Sequence, residues 1–341
     1  MFRVLGVTIN GVINILKRKL IIVKIAIAGA GAMGGRFGSM LSTTDNPVTF
    51  IDLWQQHVAA INAHGLLAHT NDGDKRVHVP AFLPKDVHGT FDLIILFTKA
   101  MGIADMLTAL KPVITPATHV LELGNGIGNI ETIAKFVPKN QIIAGVTVWS
   151  AALNGPGEIT MKGNGSVTLQ ALASNEEPFF KQVLQVLTEA GLKPTASNDV
   201  LAAIWRKAAL NSVLNTYTTI LDCNIGEFSQ VPDCDTLIDN VLDEFAAIAA
   251  NQHVHFDEAA TKQLIVAQFP DDANGKHYPS MHQDMAKGRK TEIDFLNGYI
   301  AKVGAKAGIP TPVNALLTKL IHGKEQLRQI QGSNEKVATP V

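Results

Sequence analysis

The chain has 341 residues, a formal net charge of −1, and 46% hydrophobic against 17% charged residues. That length supports two domains, each with its own core, and the composition excludes a disordered chain. The near-neutral charge argues against a nucleic-acid partner, which calls for a basic face. The only cysteines, Cys223 and Cys234, lack metal-ligand spacing, and the histidines are scattered, with no HxxxH and no CxxC in the chain. No metal site is expected, and so few thiols suit a reducing cytoplasm.

In chain order, Val4 to Leu16 is apolar and precedes Lys17-Arg18-Lys19. The run is shorter than the ~20 residues a membrane span needs. As a signal peptide it lacks a small-residue cleavage site and carries its charge on the wrong side. Residues 1–22 are therefore expected to be a peripheral extension, with Val23 the better translation start. A membrane-surface helix and an ordered accessory element stand as alternatives. No membrane partner is expected.

Lys24 to Gly34, KIAIAGAGAMG, reads as an apolar strand entering Gly29-Ala30-Gly31-Ala32-Met33-Gly34. Gly29 permits a tight turn, Gly31 lets backbone approach a pyrophosphate, and Gly34 lets the next helix lie close to the strand. The start of that helix offers free N–H groups to phosphate. A helical stretch, Arg36 to Leu41, follows. A second strand, Val48 to Ile51, ends in Asp52, where an acid accepts hydrogen bonds from ribose hydroxyls. Further strands are expected at Leu93–Phe97, His119–Leu123, Ile142–Val148 and Val167–Ala171, with helices such as Asp105–Leu110 and Ile130–Phe136 between them. This alternation predicts a mainly parallel sheet covered by helices, a Rossmann-type domain over residues 23–197. Ligands in such folds lie beyond the carboxyl ends of the strands, which singles out Lys99 and Asn125.

After Lys193-Pro194 the pattern changes. Pro194 and Ser197-Asn198-Asp199 mark a linker and a helix N-cap. Helical periodicity then covers Val200–Leu221, Asp233–Asn251, Glu258–Phe269, Glu292–Ala307 and Pro312–Leu327, without convincing strands. The expectation is an α/β protein whose all-helical second domain spans 198–330, with a tail at 331–341. The apolar helical domain would support a homodimer.

In Ile204 to Asn215, Lys207, Asn211 and Asn215 fall four apart and share one face of an otherwise apolar helix. Buried asparagines without partners are costly, so something polar must meet this stripe. A substrate is one such partner, and plain solvent is the other.

These features together resemble the ketopantoate reductase family, whose relatives include D-2-hydroxyacid dehydrogenases. The resemblance runs from Lys24 to about Lys324. It rests on the GAGAMG turn, Thr98-Lys99-Ala100, Asn125-Gly126-x-Gly128, Trp205-Arg206-Lys207-x-x-x-Asn211-x-x-x-Asn215, Ser280-Met281-x-Gln283-Asp284 and Thr291-Glu292-Ile293-Asp294. It implies reduction of a small 2-oxo acid by NADH or NADPH. By the same resemblance Lys207 is the proton donor and Glu292 the acid that orders it and touches the cofactor. Asn211, Asn215 and Ser280 are substrate ligands; Lys99, Asn125 and Ala151 are cofactor contacts, with Asn125 also near substrate.

Two positions depart from the family pattern. Asp52 stands where NADPH-using members typically carry a basic residue, which favours NADH. Ile225 stands where the family often has another substrate-binding asparagine, which suggests a more apolar pocket end. Three functions are therefore in play: 2-dehydropantoate 2-reductase in pantothenate and coenzyme A synthesis, an NADH-dependent D-2-hydroxyacid dehydrogenase on branched or aromatic 2-oxo acids, and a non-catalytic dinucleotide sensor.

Overall fold

A computed structural model describes residues 22–175 and 177–337. The expectation for residues 1–22 therefore falls almost wholly outside the described residues. Strands are β1 (Ile25–Ala28), β2 (Val48–Ile51), β3 (Leu66–Thr70), β4 (Gly73–Val77), β5 (Ala81–Phe82), β6 (Leu93–Leu96), β7 (His119–Glu122), β8 (Ile142–Thr147), β9 (Ala152–Gly155), β10 (Glu158–Thr160), β11 (Val167–Ala171) and β12 (Pro194–Ala196). Among them run α1 (Ala32–Leu41), α2 (Gln55–His64), α3 (Ile103–Leu110), α4 (Asn129–Ile133) and α5 (Pro178–Glu189).

The main sheet has the order β12-β11-β8-β7-β6-β1-β2-β5. From β5 to β8 neighbouring strands are parallel, β11 runs antiparallel to β8, and β12 is parallel to β11. Central β1 is buried on both faces, as the continuous apolar run IAIA requires. Side chains alternate across a strand, so Ile25 and Ile27 enter the core that holds Phe37 and Phe50. Ala26 and Ala28 enter the opposite core, with Ile103 and Leu107. All parallel strands deliver their carboxyl ends to one edge, and β1 has neighbours on both sides there. The Rossmann-type arrangement expected from the alternation is present.

Between residues 200 and 337 the α-helices are α6 (Val200–Leu221), α7 (Ile225–Phe228), α8 (Cys234–Asn251), α9 (Glu258–Val266), α10 (Ser280–Ala286), α11 (Asn297–Ala307) and α12 (Pro312–Val337), with no strand among the described residues. Their core gathers Trp205, Val213, Phe228, Phe245, Ile300 and Ile321. Trp205 lies edge-on to both Phe245 and Tyr299. Asp199 caps α6 as expected, its carboxylate accepting from Ala202 N–H at 3.1 Å.

Four details depart from the sequence reading. A second sheet, β4-β3-β10-β9, packs over α1, where Gly35 admits Ile159 and Leu66. Its exposed polar strand GDKRV carries no apolar signal. Pro194 is no linker but opens edge strand β12, which tolerates a residue without N–H. The expected helix Glu292–Ala307 is interrupted: a 3₁₀ turn, Ile293–Phe295, precedes Leu296 at φ −116°, ψ −110°, and α11 starts at Asn297. Finally, α12 continues past Leu327 into the expected tail, as far as Val337.

Candidate active site

At the carboxyl edge of the sheet, each glycine of the turn has a separate cause. Gly29 adopts φ 97°, and a Cβ there would meet the Thr98 nitrogen at 2.6 Å. A Cβ on Gly34 would come within 1.8 Å of the Gly29 carbonyl oxygen, so only glycine lets α1 approach the turn. Gly31 is different, since nothing lies within 4 Å of the place its Cβ would occupy. That open space adjoins the first turn of α1, whose N-cap Gly31 provides no side-chain cap. Ala32 and Met33, half-buried, open the helix. Thr98 Oγ1, at the end of β6, is buried without a protein partner. Open space at Gly31, uncapped N–H groups and an orphaned hydroxyl fit a bound pyrophosphate.

Asp52 braces this turn. Its Oδ2 accepts from Ala30 N–H at 2.7 Å and its Oδ1 from Trp54 N–H at 2.8 Å. The Ala30 carbonyl is held in turn by buried His57, whose Nε2 donates at 2.9 Å. Gly157 N–H donates to His57 Nδ1 at 2.9 Å, which fixes the ring as the Nε2–H tautomer. Sequence reasoning missed His57, because Gly157, which fixes its ring, stands 100 positions farther along, in the connection between β9 and β10 of the unexpected second sheet. Ala151 stands just before β9, beside Ser150, whose carbonyl accepts from the Arg36 guanidinium at 2.7 Å. Arg36 also stacks over Trp149 at 4.1 Å.

Where the helical domain meets the sheet edge, the charged residues converge. Lys99 ion-pairs with Asp284 and donates to the Lys290 carbonyl at 3.0 Å. Asp284 also receives Arg289 Nε at 2.8 Å. Glu292 accepts from Ala100 N–H at 2.9 Å, and the nearby Asn125 side chain favours its charged form. Loss of water around Glu292 raises its pKa, against the hydrogen bonds and the Lys99 charge. The Asn125 loop docks on the helical domain through Ile127 N–H to the Phe295 carbonyl, 2.8 Å. A Cβ on Gly126 would meet that carbonyl oxygen at 2.6 Å.

Lys207 reaches the same place from α6, donating to the Thr147 carbonyl at the end of β8, 3.2 Å. Although its side chain is only partly covered, its ammonium is desolvated, which lowers its pKa to about 8. The Glu292 and Glu122 charges oppose that shift. Further along the stripe, Asn211 is half-buried, and buried Asn215 lies 3.5 Å from Ser280 Oγ at the start of α10. Of the polar stripe, Lys207 thus meets a carbonyl at the sheet edge and Asn215 a hydroxyl of the helical region. Ile225, by contrast, joins the helical core, and adjacent Asn224 forms a capping box with Glu227.

Sequence reasoning also passed over Glu122, the last residue of β7. It is buried, and desolvation raises its pKa to about 7. An ionisable residue after Val120-Leu121 and before Leu123, near the ligand-binding edge, was a signal available in the sequence. Among the described residues no group of three His, Cys, Asp or Glu could hold a metal ion, and no helix is long and apolar enough to cross a membrane.

Comparisons with known proteins identify the family. Residues 25–174 match the family model Ketopantoate reductase PanE/ApbA, and residues 199–325 match Ketopantoate reductase PanE/ApbA C terminal. The chain is 44% identical over 307 residues to 2-dehydropantoate 2-reductase of Lactococcus lactis subsp. lactis, covering 89% of this chain and 98% of that one. The structure of D-mandelate dehydrogenase with NADH and anilino(oxo)acetate superposes with a TM-score of 0.86 at 42% identity, over 89% of this chain and 98% of the other. A PanE/ApbA family ketopantoate reductase from Ralstonia eutropha JMP134 superposes with a TM-score of 0.82 at 29% identity, over 90% and 99% of the two chains. The chain belongs to the ketopantoate reductase family.

Proposed function

We propose that this member of the ketopantoate reductase family reduces a 2-oxo acid to a 2-hydroxy acid with a nicotinamide dinucleotide, and that the substrate is 2-dehydropantoate. The observation that carries this reading is the desolvated Lys207 ammonium, which donates to the Thr147 carbonyl at the carboxyl edge of the sheet and feels the charges of buried Glu122 and half-buried Glu292. Gly29, Ala30, Gly31, Ala32, Met33, Gly34 and Asp52 would hold the adenosine and pyrophosphate; Lys99, Asn125, Ala151 and Glu292 would line the nicotinamide end. The bound cofactor supplies a hydride to the keto carbon. Negative charge then builds on the keto oxygen, and Lys207 Nζ stabilises it and donates a proton. Glu292 holds Lys207 charged, and with Ala100 and Asn125 it fixes the geometry. Asn211, Asn215 and Ser280 bind the substrate through groups that donate and accept without adding charge.

The cofactor is NADH in this reading. The Asp52 carboxylate, fixed by two backbone N–H groups, keeps lone pairs for a ribose diol and repels a 2′-phosphate. The NADH-bound D-mandelate dehydrogenase structure supports this choice. That relative also supports a second reading, reduction of aromatic or branched 2-oxo acids. Turnover of 2-dehydropantoate, 2-oxoisocaproate and phenylglyoxylate with NADH tests both. A kcat/KM highest for 2-dehydropantoate supports the first reading, and one highest for phenylglyoxylate replaces it with the second. No turnover of any of the three would refute the reductase reading.

A further inference from the structure

Glu122 is a buried acid with two unlike oxygens. Oε1 accepts from Gly124 N–H at 2.7 Å and from Asn129 Nδ2 at 2.9 Å. The same Asn129 amide donates to the Asn125 carbonyl at 3.1 Å. One carboxylate oxygen thus ties both ends of the loop that carries Asn125. A Cβ on Gly124 would come within 2.6 Å of that oxygen, so the loop closes tightly around it. Oε2 is buried and has no protein partner. A cavity of about 30 Å³ is lined by Glu122, Gly124, Asn129, Gly145 and Trp205, enough room for one water molecule.

The charges around Glu122 come from three elements. Glu122 feels the charge of Lys207 on α6 and of Glu292 in the segment before α11, and Glu131 of α4 lines the cavity. Lys207 in turn feels Glu292 and Glu122, while Glu292 feels Lys99 and Asp284. A buried acid in such a setting needs a reason to persist, since an apolar side chain would fill the site without desolvation cost.

We propose that Glu122 is a positioning residue for the reduction, its Oε1 holding the Asn125 loop and its charge holding a proton on the Lys207 ammonium. This inference rests on the reading of Lys207 as the acid. Burial raises Glu122 to about 7 and lowers Lys207 to about 8, so the two groups titrate in one range around neutral pH. Below that range Glu122 is a neutral brace. Within it, the new carboxylate opposes deprotonation of Lys207 and extends the working range to higher pH.

The test is the pH profile of kcat/KM for 2-oxo acid reduction in the wild type, Glu122→Gln, Glu122→Ala and Lys207→Ala. Glutamine keeps an oxygen for Gly124 and Asn129 but carries no charge. Its basic limb should lie about one pH unit below that of the wild type, with most of the turnover lost in Glu122→Ala restored at pH 6. Glu122→Ala loses both functions, and its turnover at pH 6 should fall about tenfold. A Glu122→Gln limb that coincides with the wild type overturns the inference while Lys207→Ala is inactive. If Lys207→Ala remains active, the reading of the acid fails instead. Should Glu122→Ala fail to fold, Glu122→Gln alone decides, because the limb position is independent of how much enzyme is active.

Discussion

Lys207 and Glu122 carry the sharpest consequences at the scale of single residues. If Lys207 is the proton donor, Lys207→Ala should lower kcat by about 10²–10⁴-fold, with little change in cofactor affinity. Glu292→Ala should also impair turnover, and the double variant should be less than additive in free energy, because the two side chains act as a unit. Steady-state kinetics with fluorescence titration of NADH measures both. In the free enzyme kcat/KM should decline above about pH 8, as Lys207 gives up its proton. Stability carries a pH signature as well. Burial raises Glu122 from the ordinary carboxylate range to about 7, so between those values the folded state keeps a proton that the unfolded state has released. That contribution is complete at low pH and lost as pH rises toward 7. Glu122→Gln should therefore gain in Tm relative to wild type at pH 7.5, but not at pH 4.5. Equal differences at both values would show that Glu122 ionises normally in the folded protein.

The glycine turn and α1 act as an element, and Asp52 belongs to it through the Ala30 N–H bond. Near the surface, a carboxylate facing a 2′-phosphate costs on the order of 1–3 kcal/mol, roughly ten- to a hundredfold in kcat/KM. The wild type should prefer NADH over NADPH by that margin, measured for both cofactors at one ionic strength. Asp52→Arg should shift the preference toward NADPH. It should also lower absolute activity, because the Ala30 and Trp54 N–H groups lose their acceptor. A wild-type preference for NADPH would mean that a basic residue elsewhere reaches the phosphate. The strand, turn and helix were legible in the chain because their apolar runs and glycine spacing are local. His57, which fixes the other side of Ala30, was not legible, since its ring is satisfied by Gly157 from a distant strand connection.

At the scale of the whole molecule, the site depends on how the helical region sits against the sheet edge. Asp284, with its side chain 7% exposed, gathers Lys99 from the sheet and Arg289 from the helical region. Asp284→Ala should leave both cations without this partner and loosen the approach of Lys99 and Glu292. The loss is about 1–2 kcal/mol, kept small because both cations are partly exposed to water. The variant should lose a few degrees in Tm and show a larger proportional loss in kcat/KM. An unchanged kcat/KM with lowered Tm would limit Asp284 to stability.

The sequence by itself determined the alternation of strand and helix, the glycine turn, the change to helices after residue 199, and the face shared by Lys207, Asn211 and Asn215. Each follows from periodicity or from backbone limits within a short stretch. Only the tertiary structure decided that Pro194 lies in an edge strand, that the helix expected from Glu292 is broken at Leu296, and that a second sheet covers α1. Those outcomes depend on hydrogen-bond partners far along the chain. Glu122 is the clearest case: its identity was visible, but its behaviour comes from burial beside Lys207 and Glu292, 85 and 170 positions farther along. Desolvation is a property of what surrounds a group, and no local pattern records it.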